Sequence, residues 1–289
     1  MSVIQIEHLK KNYGRHVGTR DVTFSVEQGE LFGFVGPNGA GKSTTIKALM
    51  GFIFPSGGTA TICGLDVVRD SRQIKSFTGY VPSDVRLYPH MRVDELLRRN
   101  AAFYRGEYAA ETRRLCGLFA VDTKKRFHEL STGNKKKVSI LCALQPGPKV
   151  IILDEPTNGL DPVMQKLLFA ELHKQTAGGA TVLLSSHNLA EVQEYCGRVA
   201  FIKDGGILAV TDLTKTTAPR KIITVTGGGA VVDGLEPVSE EGKRRVLRSS
   251  LGGRALLDAL AALAPEDFTV ENESMEEHFW RLYGKEARQ

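Results

Sequence analysis

One stretch constrains this 289-residue chain more than any other: Gly36-Pro37-Asn38-Gly39-Ala40-Gly41-Lys42-Ser43, followed by Thr44. It fits the pattern G-x-x-x-x-G-K-[ST]. The apolar run Leu31 to Val35 leads in and reads as a buried strand, and Thr44 to Met50 leads out and reads as a helix. Glycines let the backbone wrap closely enough for successive N–H groups to point at phosphate oxygens, and the following helix adds its positive end. Lys42 is then placed to reach β- and γ-phosphates, and Ser43 to hold Mg²⁺.

Two further strand ends carry chemistry. Val150-Ile151-Ile152-Leu153 is an unalternating apolar run, as expected of a strand buried on both faces, and it ends in Asp154-Glu155. Two adjacent carboxylates there are costly unless they bind something. With a phosphate-binding loop upstream, Asp154 fits a place beside Mg²⁺, and Glu155 a place from which to orient and deprotonate a water. Thr181 to Ser185 is another buried strand and delivers Ser186-His187-Asn188. Ligands of parallel sheets bind at one edge, so Gly36, Asp154 and His187 are expected to converge.

Around these strands the reading is coarser. Val3 to Leu9 and Asp21 to Val26 alternate as half-buried strands that could pair, with Lys11-Asn12-Tyr13-Gly14 as a polar loop between them. Tyr13 there either stacks on a base or packs on the strands. Gly57-Gly58 reads as a turn before a strand Thr59 to Ile62, and Thr78 to Val81 as a strand stopped by Pro82. Residues 92–127 repeat apolar positions at helical spacing, and Ser131 can cap a helix running to Leu144. Val163 to Thr176 reads as a helix, and Val199 to Ile202 and Ile207 to Val210 as a hairpin about Asp204-Gly205-Gly206. Beyond residue 215, strands are expected at Lys221 to Thr226, Arg245 to Ser249 and Phe268 to Val270. Leu256, Leu257, Leu260 and Leu263 mark a helix, and Ser274-Met275-Glu276-Glu277 is a capping box opening a last one, with Met275, Phe279, Leu282 and Tyr283 on one stripe.

Bulk properties exclude other classes. No apolar run approaches the roughly 18–20 residues of a membrane span, and the start lacks the pattern of a signal peptide. Cys63, Cys116, Cys142 and Cys196 are widely spaced, as expected of buried reduced thiols and not of a disulfide or zinc framework. The net charge of +5 is uneven: residues 92–137 carry 12 basic against 6 acidic side chains. A solvated helical face explains that excess, with nucleic acid or anionic lipid as the other possibility.

Taken in order, these motifs resemble the nucleotide-binding domain of ABC transporters over roughly residues 3–215. Gly36 to Ser43 matches Walker A, Leu130-Ser131-Thr132-Gly133-Asn134 is similar to the LSGGQ signature, and Val150 to Glu155 matches Walker B. Gly159-Leu160-Asp161 looks like the D-loop, His187 the switch histidine and Tyr13 the adenine-stacking aromatic. The resemblance implies an α/β P-loop NTPase of ABC type: a mostly parallel core sheet, an N-terminal antiparallel β subdomain and a helical subdomain over about 84–148. A small α+β appendage, 216–289, follows. It implies an ATPase in which Tyr13 and Gly36 to Thr44 bind ATP. Ser43 and Asp154 hold Mg²⁺, Lys42, Glu155 and His187 act in catalysis, and Asp161 serves the D-loop. Two such domains would meet head to tail, so that Ser131, Thr132, Gly133 and Asn134 meet the partner's nucleotide. The chain departs from the family where Thr132 and Asn134 replace Gly and Gln, and where Ser83 follows Pro82 in place of the Q-loop Gln or Glu. Ser83 or Asp84 is expected to take that contact to the metal.

The order of motifs and the ending Ser274 to Trp280 resemble separate ATPase subunits of bacterial exporters. Expected partners are therefore an integral membrane permease and a second copy or a similar ATPase, on the cytoplasmic face of the membrane, with no nucleic acid. A soluble ABC ATPase acting on ribosomes or nucleic acid is the alternative, and the basic 92–137 stretch is its support.

Overall fold

The computed structural model describes residues 1–104, 106–214 and 220–273. The chain divides into two compact units, Met1–Leu213 and Thr214–Gln289.

The first unit is built on ten strands. β1 (Ser2–Tyr13) and β2 (His16–Glu27) form a long antiparallel hairpin. β3 (Leu31–Val35) enters the core, and β4 (Gly57–Ile62) and β5 (Leu65–Asp66) extend the antiparallel layer on the outer side of β1. β6 (Thr78–Val81), β7 (Val150–Asp154) and β8 (Thr181–Ser186) run parallel to β3, while β9 (Arg198–Lys203) and β10 (Gly206–Asp212) form a closing hairpin. The order is β5-β4-β1-β2-β10-β9-β3-β8-β7-β6.

The continuous apolar runs of β3 and β7 are buried at every residue, as a parallel strand covered on both faces requires. Phe32 and Phe34 of β3 bring their rings within 5.3 and 5.1 Å of Phe24 on β2, joining the two layers in one core with Ile46, Leu49, Ile152 and Leu183. Register then fixes the working edge. Val35 pairs with Ser186 and Asp154 with Ser185, so the loops after β3, β7 and β8 emerge side by side.

The helices are α1 (Lys42–Leu49), α2 (Ser71–Lys75), α3 (Val93–Ala101), α4 (Ala109–Leu118), α5 (Thr132–Leu144), α6 (Pro162–Ala177) and α7 (Leu189–Tyr195). Ser131 caps α5 by accepting from the Asn134 N–H at 3.3 Å, and Asp161 caps α6 by accepting from Met164 N–H at 3.0 Å. Arg114 of α4 grips the buried Glu171 of α6 with two hydrogen bonds, at 2.7 and 2.9 Å, tying the helical insertion to the core.

Several expectations need correction. Lys11 to Tyr13 is not a loop: β1 continues to Tyr13, which pairs with His16 across the two-residue turn Gly14-Arg15. The backbone ladder persists there although the side chains are exposed, so alternation gave no signal. Gly57 and Gly58 lie inside β4, and Gly206 inside β10, leaving Asp204-Gly205 as the turn. The short helices α2 and α7 had no periodic pattern long enough to mark them. Cys63 is exposed and only Cys196 is buried; all four thiols are free.

The second unit has strands β11 (Lys221–Thr226), β12 (Glu236–Glu241), β13 (Arg244–Ser249) and β14 (Asp267–Asn272) in the antiparallel order β12-β13-β11-β14. Helix α8 (Gly253–Leu263) lays Leu256, Ala259, Leu260 and Leu263 on Ile223, Val225 and Leu247. β12 was not legible: Glu-Pro-Val-Ser-Glu-Glu is exposed throughout, an edge strand held by backbone pairing with β13 and by the Arg220–Glu236 ion pair at 3.6 Å. The break at Pro219, the capping box at Ser274 and the stripe through Met275, Phe279, Leu282 and Tyr283 lie outside the described residues.

Candidate functional site

The loop Gly36 to Gly41 leaves β3 and enters α1 through Gly41, which takes the left-handed N-cap conformation at φ 108°. Its base is tied down: the Gly36 N–H donates to Ser186 O at 3.4 Å, and the Gly205 N–H donates to Ala40 O at 3.0 Å. Gly36 passes so close to β9 that a Cβ there would lie 2.1 Å from Ile202 O. We expect Gly36→Ala to cost about 3 kcal/mol through this overlap. Urea unfolding of variant and wild type measures it, and an unchanged midpoint would show that β9 yields.

A cavity of about 210 Å³ opens above the loop. Asn38, Gly39, Gly41, Lys42, Ser43 and Thr44 floor it, Glu155 closes one side, and Tyr13, His16 and Gly18 of the β1–β2 hairpin form the other. Gly36, Pro37 and Ala40 shape the loop without lining the cavity. The Tyr13 ring is nearly half exposed and Lys11 Nζ sits 5.1 Å from its centroid, so base stacking and strand packing are both served by this placement.

Lys42 is only 4% exposed. Its Nζ donates to Gly36 O at 2.7 Å and Pro37 O at 3.1 Å, and it lies 3.3 Å from Glu155 Oε1. Glu155 also receives a hydrogen bond on Oε2 from Asn158 Nδ2 at 2.6 Å and faces His187 Nδ1 at 3.4 Å. Burial pushes the Glu155 carboxyl up, but the Lys42 ammonium, the Asn158 amide and His187 outweigh it and hold the group below its ordinary value. It is therefore a carboxylate at neutral pH, held by a cation on one oxygen and by an amide and an imidazole on the other.

Asp154 is 0% exposed. Its Oδ1 accepts from Ser185 Oγ at 2.7 Å, while its Oδ2 has no hydrogen-bond partner. An orphaned buried carboxylate oxygen is expensive, and a carboxylate of this kind and a serine hydroxyl such as that of Ser43, which lines the cavity, are donors a Mg²⁺ site uses together with phosphate oxygens and water. The residues fit that ion. Among the described residues no group of three or more His, Cys, Asp or Glu is placed to hold a metal ion by itself.

The other candidates lie elsewhere. Asp84 is exposed, with its carboxylate on Arg86 at 2.7 Å, and does not line the cavity. Ser131 to Asn134 stand at the N-terminus of α5, outside the cavity, and Gly133 packs so closely on the Gly159 carbonyl that a Cβ would lie 2.4 Å from it. Asp161 acts here as the α6 cap.

Sequence reasoning missed Ser185, Asn158, His16, Glu191 and Lys136. Ser185 donates to Asp154 and accepts from the Glu155 N–H at 3.1 Å; a hydroxyl inside a strand read as buried was the available signal. Glu191 is buried under Ser186 and Thr157, whose hydroxyls donate to it at 2.9 and 3.3 Å. Burial raises its pKa, and those two hydroxyls and His187 oppose the rise. Lys136 was hidden in the run Lys135 to Lys137, which looks like a solvated face.

The fold and these strand ends have clear relatives. Residues 19–158 match the family model described as ABC transporter. The Nod factor export ATP-binding protein I of Paraburkholderia xenovorans (strain LB400) is 32% identical, covering 99% of both chains. This chain belongs to the ABC transporter ATP-binding proteins. The linearmycin resistance ATP-binding protein LnrL of Bacillus subtilis (strain 168) is 34% identical over 78% of this chain and 76% of its own. A solved ATP-binding subunit of an ABC transporter superposes with a TM-score of 0.69 at 33% identity, covering 73% of this chain and 90% of that one. As an ABC protein this chain binds and hydrolyses ATP. Among the described residues no helix is long and apolar enough to cross a membrane.

Proposed function

We propose that this chain is the ATP-hydrolysing motor of an exporter whose membrane pathway is a separate permease, and that it works as a pair with a second copy or a similar subunit. The observation that carries the reading is the convergence of Lys42 and His187 on the Glu155 carboxylate at the edge of the cleft, in a chain matched over 99% of its length by an export ATP-binding protein. ATP lies on the Gly36 to Thr44 loop with its base toward Tyr13, and Mg²⁺ is held by Ser43 and Asp154. Glu155 orients and deprotonates the attacking water, and His187 positions Glu155 and the γ-phosphate.

The size of the cleft supports the pairing. At about 210 Å³ it is smaller than the roughly 300–1,000 Å³ typical of small-molecule sites and open on one side, which leaves room for a second surface to cover it. The N-terminus of α5 is that surface: Ser131, Thr132, Gly133 and Asn134 stand clear of their own cleft and present a helix end suited to a partner's γ-phosphate. Gly159, two residues before Asp161, packs on Gly133 of that helix end. The permease brings the chain to the cytoplasmic face of the membrane, and exposed Phe54, Tyr88 and Phe103 offer apolar surface of the kind a partner covers. Asp84 is turned onto Arg86, and the Q-loop contact to the metal is not assigned to it.

The basic 92–137 stretch gives little support to a nucleic-acid role. Arg92 pairs with Asp94, Arg99 with Glu95, and Arg114 with Glu111 and Glu171. Arg126 donates to His90 O, and Lys136 is buried. The pairs with Asp94, Glu95 and Glu111 leave the excess unchanged, and Arg114 on Glu171 and the buried Lys136 draw part of it into the fold.

Recovery of tagged Glu155→Gln protein with ATP and Mg²⁺ from detergent-solubilised cells tests the proposal. A stoichiometric integral membrane protein is the expected companion. Ribosomal proteins or nucleic acid without a membrane subunit would replace the transporter reading with the soluble one.

A further inference from the structure

Lys136 lies on α5, one turn beyond Thr132, and is 3% exposed. A buried ammonium is costly unless it is hydrogen-bonded and balanced by charge. Its three acceptors here are all main-chain carbonyls. Nζ donates to Pro82 O at 3.0 Å, Ser83 O at 2.8 Å and Glu155 O at 3.3 Å. Burial lowers its pKa, and the charges of Asp154, Glu155 and Asp84 oppose that. One ammonium on the helix that begins at Ser131 therefore joins the end of β6 to the end of β7.

What it holds there is unusual. Glu155 has φ 48°, a conformation a non-glycine residue keeps only where its surroundings impose it. Its N–H is fixed by Ser185, through the carbonyl at 3.2 Å and Oγ at 3.1 Å. Its C=O accepts twice, from the Asn158 N–H within the same turn at 3.4 Å and from Lys136 Nζ at 3.3 Å, and Lys136 is the partner that comes from another element. Both main-chain polar groups of Glu155 are thereby anchored, the N–H by β8 and the C=O by its own turn and by α5, and the carboxylate is aimed between Lys42 and His187.

We propose that Lys136 is a positioning residue for ATP hydrolysis: it fixes the left-handed backbone of Glu155 and so sets where the carboxylate stands. The inference rests on the reading of Glu155 as the hydrolytic carboxylate. The same ammonium binds the 82–83 loop to this strand end through the Pro82 and Ser83 carbonyls, a link that needs neither Ser83 Oγ nor Asp84.

The test compares Lys136→Met, Lys136→Arg and Glu155→Gln in the full chain, measuring kcat, ATP Kd by equilibrium binding, and Tm. A displacement of the carboxylate by about 1 Å costs up to ~100-fold in rate, so Lys136→Met should lower kcat about tenfold or more with Kd within about twofold. Lys136→Arg, a long cation able to reach the same carbonyls, should recover most of the loss. Should Lys136→Met fail to fold, Lys136→Gln carries the same comparison, since its amide can serve two carbonyls but not three. A neutral variant with wild-type kcat overturns the proposal, as does a parallel loss of kcat and affinity that Lys136→Arg does not repair. If Glu155→Gln itself turns over normally, the reading of Glu155 fails first; if it is inactive while Lys136→Met is not, only the positioning role is lost.

Discussion

Glu155→Gln is expected to lower ATP turnover by about 10²–10⁴-fold, the usual contribution of a positioned general base, while leaving ATP binding nearly intact. The amide keeps the shape of the side chain, so Asn158 and His187 retain a neighbour, but it can no longer accept a proton from water. With ATP and Mg²⁺ the variant should accumulate as a closed pair, because hydrolysis is what removes the bridging γ-phosphate. Phosphate release measures the first effect and light scattering the second. A variant that stays monomeric with saturating ATP would argue against the shared site.

Lys42→Ala should fail in a different way. The buried ammonium is placed to make charge-assisted hydrogen bonds to the phosphates, each worth about 1.5–3 kcal/mol, so its loss should weaken ATP binding roughly ten- to a hundredfold. Equilibrium titration with ATP separates this from the Glu155 phenotype. The substitution also removes the largest favourable charge from Glu155, leaving burial less opposed. In the wild type the folded-state pKa of Glu155 is depressed. Its ionisation therefore stabilises the fold above the ordinary carboxylate value, and that contribution is lost as pH falls through the folded pKa. In Lys42→Ala the depression shrinks or reverses, so stability should fall less on acidification. Urea midpoints at neutral and acid pH, compared between the two proteins, read this directly; identical pH dependence would mean that Lys42 does not govern Glu155.

The parts most legible in the sequence were those where chemistry and burial coincide. Leu31 to Val35 and Val150 to Leu153 had to be central strands because nothing else buries such runs on both faces. The glycines and Lys42 after the first, and the two carboxylates after the second, marked the ends that matter. The helix Val163 to Thr176 and the cap Ser131 were readable for the same reason, since local pattern and local chemistry agreed. The exposed continuation of β1 through Tyr13 and the edge strand Glu236–Glu241 were not, because backbone pairing with a neighbour holds them and their side chains carry no periodic signal.

The sequence by itself determined that a phosphate-binding loop, a pair of acidic residues and a histidine would end strands of a parallel sheet, and hence the class of chemistry. Only the tertiary structure decided how each charge is held. Ser185 reaches Asp154 and Glu155 because Asp154 pairs with it across two strands about 30 residues apart in sequence. Arg114 is turned inward by Glu171, and Lys136, one of three consecutive lysines, is alone among them in being drawn onto the carbonyls of Pro82, Ser83 and Glu155. A hydrogen bond depends on where its partner stands in space, and for these residues the partners come from distant segments that no local pattern records.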